Sequence, residues 1–281
     1  MTGLGQRLLQ RRGTRLALAV LLLLVLGAAG AGLLSPHAPA EQFRDALLHA
    51  PDGPGGPFPL GTDGLGRDLF ARLLHGARLT LGLALAAVLA AMLPGITLGL
   101  LAAQAPRGVG ELVLRISDVL LALPGVLLAI AVVAVLGPGL LNTVLAVALS
   151  SLPGYVRLAR ATALGELARP YAMAARAVGA GPARLMARHV LPNCLGPLIV
   201  NATLDFSGAL LTVTGLGFLG LGAQPPAPEW GTMLADARDV IGRADWVIAW
   251  PGLAILVTVL CVNVVGDALA DTLDPRRSER G

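Results

Sequence analysis

Long apolar runs alternate along the chain with shorter segments that hold most of its arginines and prolines. A helix needs about 20 mainly apolar residues to cross the ~30 Å hydrocarbon core of a bilayer. Runs of this length predict membrane-spanning helices, with boundaries that are soft by a few residues. The six predicted spans are residues 15–34, 79–103, 117–137, 139–159, 194–216 and 246–265.

The composition agrees with this pattern. Hydrophobic residues make up 55% of the 281 residues and charged residues only 14%, whereas a soluble domain holds about 25% charged residues. The mean hydropathy is +0.75. The sequence therefore predicts an all-α integral membrane protein with six transmembrane helices.

The basic residues predict the orientation of these helices. All 21 of them are arginines, because the chain has no lysine. If the N-terminus is cytoplasmic, all but six arginines fall on the inner side, as the positive-inside rule requires. The six outer arginines are Arg44, Arg67, Arg72, Arg78, Arg238 and Arg243. Both termini are therefore predicted to be cytoplasmic, and the net charge of +4 indicates topology rather than nucleic-acid binding.

These spans divide the chain into a series of segments. The first span also has the basic start and small-residue end of a signal peptide, but its apolar run exceeds the roughly 7 to 15 residues of such a peptide. An uncleaved first helix is therefore favoured. The predicted segments are an inner tail 1–14, a first helix 15–34, an outer loop 35–78, a transmembrane domain 79–270 with a cytoplasmic loop 160–192, and an inner tail 271–281.

No residue pattern in the chain predicts catalysis. A phosphate-binding loop of the form G-x-x-x-x-G-K-[ST] needs a lysine, so the chain has no conventional ATPase site of its own. Cys194 and Cys261 show no metal or redox spacing, and the four histidines are scattered. We therefore expect no catalytic residue, no metal site and no bound cofactor.

Residues 171–193, YAMAARAVGAGPARLMARHVLPN, are too basic and too interrupted to cross a bilayer. Prolines at first-turn positions and glycines at stops predict two short helices beneath the membrane. The residues that mark their ends are Pro170, Gly179, Gly181, Pro182 and Pro192. This form is typical of a docking element for a cytoplasmic partner; a solvated basic loop is the alternative.

The same segment resembles a known motif. Met173-Ala174-Ala175, Gly179 and His189-Val190-Leu191-Pro192 are similar to the E-A-A-x-x-x-G-x(9)-I-x-L-P coupling loop of the membrane subunits of binding-protein-dependent ABC importers. Met173 replaces the glutamate and His189 the isoleucine, as in the version found in peptide and nickel importers. Without the carboxylate no specific ion pair is implied, but a helix-in-groove contact remains.

The resemblance implies which residues couple the chain to ATPase subunits. They are Ala174, Ala175, Arg176, Gly179, Leu185, Met186, His189, Val190, Leu191 and Pro192. Leu185, Met186 and Val190 are apolar at helical spacing, which predicts that they enter the groove of the ATPase. Packing against the membrane-side helices is the alternative for these three.

Other stretches resemble the C-type permease subunits of the same importers in the correct order. They are residues 59–81, 216–238, 250–260 and 265–276. Residues 38–48 and 223–234 are most similar to the dipeptide-transporting branch. From the first to the last, these stretches extend over roughly residues 59–276, which is most of the chain.

The resemblance implies a type I ABC importer transmembrane domain in the inner membrane of a bacterium, with the first helix outside a five-helix core. Its implied partners are a homologous second permease subunit, one or two kinds of ATPase chain, an extracytoplasmic peptide-binding protein and membrane lipid, but no nucleic acid. The implied function is ATP-driven import of dipeptides or short oligopeptides, with nickel as the alternative substrate. A secondary transporter is disfavoured because the six spans show no inverted repeat, and a membrane enzyme because no catalytic group is found.

Two further sites are predicted from individual residues. Asp205 lies inside the fifth predicted span, where a charge costs roughly 2.5 to 3.5 kcal/mol, so we expect it to face the translocation path or a partner. A position nearer the inner interface is the alternative. On the outer side, residues 61–68, GTDGLGRD, predict tight turns rather than a cation or phosphate loop. The residues predicted to contact the binding protein are Gln224, Pro225, Pro226 and Trp230.

Overall fold

The computed structural model describes residues 11–273, and every regular element within that range is helical. The elements are α1 (Arg12–Ala29), α2 (Ala31–Leu34), α3 (Leu69–Gln104), α4 (Arg107–Leu121), α5 (Gly125–Leu136), α6 (Leu140–Leu167), α7 (Pro170–Ala177), α8 (Pro182–Leu185), α9 (Leu191–Phe218), α10 (Trp230–Asp236) and α11 (Trp246–Leu273), with 3-10 turns at Arg44–Ala46 and Ala237–Val240 and a π turn at Met186–Val190. The all-α prediction is confirmed for the described residues.

Five helices are long and apolar enough to cross a membrane: α1, α3, α6, α9 preceded by α8, and α11. The remaining predicted span, 117–137, is not one continuous helix. It is broken between α4 and α5, whose axes differ by 89°. Pro124 causes the break, because proline disfavours helical backbone at the preceding residue and cannot donate a helical hydrogen bond. Because α5 has 12 residues, it is only ~18 Å long and needs α4 to complete a crossing.

The direction of each helix shows that α4 and α5 together make one crossing. Arg11 and Asp271, near the two ends of the described chain, form an ion pair of 2.6 Å, so these ends lie on the same side of the bundle. Helices α3 and α6 run parallel, because Gly95 faces Tyr155 and Gly99 faces Ala159 one turn further along both. The chain must therefore return between them, which gives six crossings.

We call the end of the bundle that holds Arg11 and Asp271 the inner end, in agreement with the arginine distribution. The loop between α6 and α9 lies at this end as well, since the Gln104 side chain at the end of α3 donates to the Pro182 carbonyl over 3.0 Å. Both predicted inner tails extend beyond the described residues, and the arginines that lie there are Arg7, Arg276, Arg277 and Arg280.

The core is built from close contacts between α3, α6 and α9, with α1 at the edge of the bundle. A Cβ atom at Gly95 would overlap the Tyr155 side chain, and one at Gly99 would overlap the backbone of Val156. Small residues let helix backbones approach closely, which is a main source of helix association within membranes. Only Thr14, Ala17 and Ala28 of α1 are buried, so the first helix lies outside a core of the remaining spans, as expected.

The outer loop is folded onto the outer end of the bundle. Asp63 accepts hydrogen bonds of 2.9 Å from the backbone N–H groups of Leu65 and Arg67, and Asp68 caps α3 by accepting from Phe70 N–H over 2.9 Å. The prediction of tight turns in residues 61–68 is therefore confirmed. Arg67 pairs with Asp63 at 2.6 Å and with Asp236 at 2.9 Å, which ties this loop to the segment before α11.

Candidate coupling loop and mid-membrane site

A tight turn joins the two short helices of the inner loop. Pro170 opens α7, as predicted. Gly179 then adopts a φ of +84°, and Ala180 N–H donates to the Ala175 carbonyl over 3.0 Å. This left-handed helix end favours glycine, which has no Cβ atom to clash. Pro182 starts α8, so the prediction of two short helices is confirmed up to that point.

The predicted helix end at Pro192 is wrong. The chain continues from α8 through the π turn into α9, and Pro192 lies in the first turn of α9. Leu191 N–H donates to the Met186 carbonyl, five residues back. A proline cannot donate to the carbonyl four residues back and clashes with it, and the wider π turn avoids both problems. The loop therefore joins α9 without a flexible break.

Leu185, Met186 and Val190 were predicted to enter a groove of the ATPase, but the structure buries them within this chain. These side chains are 2%, 7% and 0% exposed. They pack against the membrane-side helices, which was the alternative, and so are not free to enter a partner. The neighbouring members of this buried cluster are Ala159, Ala163, Leu167, Ala172, Cys194 and Leu198.

A different set of residues faces outward from α7. Met173 is 54% exposed and Val178 is 85% exposed, although both are large and apolar. We call the exposed set Met173, Ala174, Arg176, Val178 and Gly179 the docking face. Sequence reasoning missed Met173 and Val178 as contact residues. Of the other predicted coupling residues, Pro192 is exposed and Ala175, His189 and Leu191 are half-buried.

One phenol ties α7 to both neighbouring helices. The Tyr171 hydroxyl donates to Glu166 Oε2 over 2.7 Å, and the Asn193 side chain donates to the His189 carbonyl over 2.7 Å and to the Tyr171 oxygen over 3.3 Å. Burial and the Glu166 carboxylate raise the pKa of Tyr171 to about 12, so the hydroxyl stays a donor at neutral pH. Tyr171 therefore links α7 to both α6 and α9.

We expect Gly179→Ala to loosen the turn between α7 and α8. A left-handed conformation costs a residue with a Cβ atom about 1–2 kcal/mol. The Ala180 amide, which closes the turn, should then exchange its hydrogen roughly 5 to 30 times faster. Hydrogen exchange measured by mass spectrometry on the purified complex checks this.

Gly181→Ala is the matched control. Gly181 has a φ of −65°, and nothing lies within 4 Å of the position its Cβ atom would take. Exchange at Ala180 should change less than about twofold in this variant. Equal acceleration by both variants would show that the conformation at Gly179 does not hold the turn.

Asp205 lies midway along α9, so the alternative position near the inner interface is wrong. Its two carboxylate oxygens accept hydrogen bonds of 3.0 Å each from the hydroxyls of Ser151 and Tyr155 on α6. Tyr155 is 1% exposed, whereas Asp205 and Ser151 are half-buried. The carboxylate is thus held in a fixed orientation in the middle of the bundle while part of it remains accessible.

The four residues predicted to contact the binding protein do not share one environment. Gln224, Pro225 and Pro226 are exposed at the outer end, and the Pro225–Pro226 peptide bond is cis. Trp230 is 0% exposed, and its indole N–H donates to the Leu73 carbonyl over 3.1 Å. The prediction is therefore wrong for Trp230, because α10 folds back into the bundle and its first residue fills the core.

Glu229, next to Trp230, is a buried carboxyl group that sequence reasoning missed. One oxygen accepts from the Thr80 hydroxyl over 3.1 Å, and the other accepts from Thr232 N–H over 3.0 Å. Burial raises the pKa of Glu229, while these hydrogen bonds act in the opposite direction. Glu229 therefore fixes α10 to α3 at the outer end, beside the exposed turn at Gln224.

Comparison with known proteins shows the family to which the chain belongs. Residues 95–279 match the model of the binding-protein-dependent transport system inner membrane component family. The chain is 55% identical to the di/tripeptide transport system permease protein DppC of Pseudomonas aeruginosa over 274 residues, which cover 96% of this chain and 90% of that protein. It is 46% identical to the dipeptide transport system permease protein DppC of Escherichia coli K12, covering 95% of this chain and 90% of that protein.

The chain belongs to the family of binding-protein-dependent transport system inner membrane components. As a member of this family it is a permease subunit of an ABC importer in the inner membrane, not an enzyme, and separate ATPase subunits hydrolyse ATP. Residues 173–192, which resemble the coupling loop of these importers, therefore belong to a chain of the same family. A self-sufficient secondary transporter and a membrane enzyme are excluded as classes.

A solved structure shows the same fold. The methionine ABC transporter MetNI in inward-facing conformations matches with a TM-score of 0.60 at 19% sequence identity, covering 72% of this chain and 96% of that chain. The helical bundle is therefore a type I ABC importer transmembrane domain. Permease subunits of ABC importers work with ATPase subunits and a binding protein.

Proposed function

We propose that this chain is the permease subunit of an importer that uses ATP to move dipeptides or short oligopeptides across the inner membrane. The relatives support this substrate class, since the matches of 55% and 46% identity are named for di/tripeptide and dipeptide transport. Nickel is the runner-up within the same family. The long, nearly complete overlap with peptide permeases favours peptides over the metal.

Coupling to ATP is assigned to residues 170–192. The observation that carries it is the docking face, where Met173 and Val178 stay exposed at the inner end while Leu185, Met186 and Val190 anchor the same loop to the bundle. Apolar side chains exposed on a short, rigid helix suit insertion into a groove of an ATPase subunit. Tyr171 then transmits the motion of α7 to α6 and α9.

The remaining partners follow from the same proposal. A homologous second permease subunit completes the translocation path, with Asp205 on its wall, and one or two kinds of ATPase chain bind beneath. An extracytoplasmic peptide-binding protein delivers the substrate to the outer end, where Gln224, Pro225 and Pro226 are exposed. To move such a pair of subunits from 1:99 to 99:1 between two conformations takes about 5.5 kcal/mol, which nucleotide binding must supply.

The test is uptake of a labelled dipeptide and of labelled nickel, measured side by side in a strain that lacks this chain and in the same strain with the chain restored. Loss and rescue of dipeptide uptake alone is the expected result. Loss of nickel uptake alone would keep the permease assignment and overturn the substrate. If neither uptake changes, the peptide proposal is wrong.

A further inference from the structure

One face of α9 carries only glycine and polar residues. Asn201, Asp205, Gly208, Thr212 and Gly215 follow one another at intervals of three and four residues, the spacing that places side chains on one side of a helix. Gly208 and Gly215 are exposed in this chain, and the other three are half-buried. Ionisable and strongly polar groups at this depth of a membrane face protein or water rather than lipid. We call these five residues the polar face of α9.

The carboxylate on this face has no counter-charge among the residues that the structure describes. None of the ion pairs among residues 11–273 includes Asp205. Each of its oxygens already accepts one hydroxyl hydrogen bond and keeps a second acceptor position free. Next to it on the same face, nothing lies within 4 Å of the position that a Cβ atom of Gly208 would take. Open space therefore lies on this face at Gly208, one helical turn from the partly exposed carboxylate.

The substrate class supplies a group that fits this site. A peptide with a free N-terminus has an α-amino pKa of about 7.7 to 8.0 and so carries an ammonium group at neutral pH. That group loses water when it enters a narrow path, and a carboxylate in low dielectric surroundings replaces the lost hydrogen bonds with charge-assisted ones. Ser151 and Tyr155 hold the carboxylate in place, so it needs no rearrangement to receive the ammonium.

We propose that Asp205 binds the α-ammonium group of the peptide during translocation, with Ser151 and Tyr155 as positioning residues. This rests on the proposed function, because it names the part of the peptide that the permease itself recognises. The site would select for a free N-terminus inside the membrane, in addition to any selection by the binding protein.

The first test compares variants in the full importer complex reconstituted into liposomes with its binding protein. Asp205→Asn keeps the size of the side chain and removes its charge, so turnover of Ala-Ala should fall at least tenfold. Tyr155→Phe and Ser151→Ala remove the hydroxyl bonds and leave the charge, so each should lower turnover less than about threefold. Asp205→Glu should restore part of the turnover that Asp205→Asn loses.

A purely structural link between α6 and α9 gives a different result. In that case Tyr155→Phe would be at least as damaging as Asp205→Asn, because an Asn side chain can still form hydrogen bonds with both hydroxyls whereas phenylalanine removes one of them. Equal losses, or no loss in Asp205→Asn, would overturn the proposal.

A second measurement uses thiol labelling in the absence of the binding protein, first with Asp205 unchanged. Gly208→Cys, made in a Cys194→Ala and Cys261→Ala background, places a thiol beside the carboxylate in open space. In the full complex, millimolar Ala-Ala should slow labelling of this thiol by a small neutral maleimide at least threefold. Propionyl-alanine has the same shape without the ammonium and should slow it less than 1.5-fold. Adding Asp205→Asn should remove the difference.

Each other outcome overturns the site. Equal protection by both compounds, or none by either, would mean that the ammonium is not recognised here. An unreactive thiol at position 208 would mean that the second permease subunit covers the polar face of α9. Dipeptide uptake by the unaltered complex is recorded in parallel: if it is absent, the proposed function fails, and if it is normal, only the ammonium site fails.

Discussion

Placing aspartate at both Met173 and Val178 should separate the chain from its ATPase subunits and reduce peptide uptake to background. Burial of an apolar side chain of this size is worth about 1.5–3 kcal/mol. Losing both contacts therefore costs roughly 3 kcal/mol or more, which weakens binding about 100-fold. Two carboxylates in an apolar groove add their own desolvation cost. Co-purification of ATPase chains with the tagged variant and uptake of labelled dipeptide measure the two effects.

The control places one exposed aspartate on the other side of the membrane. Leu47 is 57% exposed in the outer loop, which makes Leu47→Asp comparable in exposure and chemistry. This variant should keep its ATPase subunits. Normal ATPase association in the Met173→Asp, Val178→Asp double variant would contradict the docking face.

Trp230→Ala should destabilise the permease by about 3–5 kcal/mol, the usual cost of truncating a fully buried large aromatic side chain. The ring is 0% exposed and packs where α10 folds against α3, and its indole N–H donates to the Leu73 carbonyl over 3.1 Å. Alanine would leave a cavity and would remove this hydrogen bond. Thermal or denaturant unfolding of the purified complex measures the change.

Ile241→Ala, which truncates a side chain that is 58% exposed in the loop before α11, should change the stability by less than about 0.5 kcal/mol. If Trp230→Ala destabilised the complex no more than this control but abolished uptake, Trp230 would belong to a binding surface, as the sequence alone predicted.

The spans could be predicted because the bilayer imposes a length and an apolar composition that are visible in any stretch of sequence. The starts and breaks of the helices differ from the prediction where they depend on local contacts and on proline, which hydropathy does not detect. Helix α3 starts ten residues before the predicted span because Asp68 caps it and Arg72 is buried beside Asp63 and Asp236 in the outer loops. The α4–α5 break lies inside an apolar run, where Pro124 changes direction without changing hydropathy.

The coupling loop shows both the strength and the limit of local rules. Pro170 and Pro182 each start a helix, and Gly179 forms the turn between them, as the rules for helix ends predict. Pro192 does not end a helix, because the π turn before it removes the conflict that makes proline a stop signal.

At Asp205 the sequence predicted the unusual charge but not its partners. Ser151 and Tyr155 lie 54 and 50 residues away along the chain, and only the packing of α6 against α9 brings them to the carboxylate. Trp230 was misplaced for a related reason. A tryptophan near a predicted membrane surface is typical of the interface, and only the position of α10 shows that it is buried.

The most direct test of the account is ATP-driven accumulation of a labelled dipeptide in liposomes that contain this chain with its permease, ATPase and binding-protein partners. We predict accumulation that requires ATP on the ATPase side and the binding protein on the other side, and that is lost in the Met173→Asp, Val178→Asp variant. Accumulation by this chain alone, driven by an ion gradient and indifferent to ATP, would contradict the account.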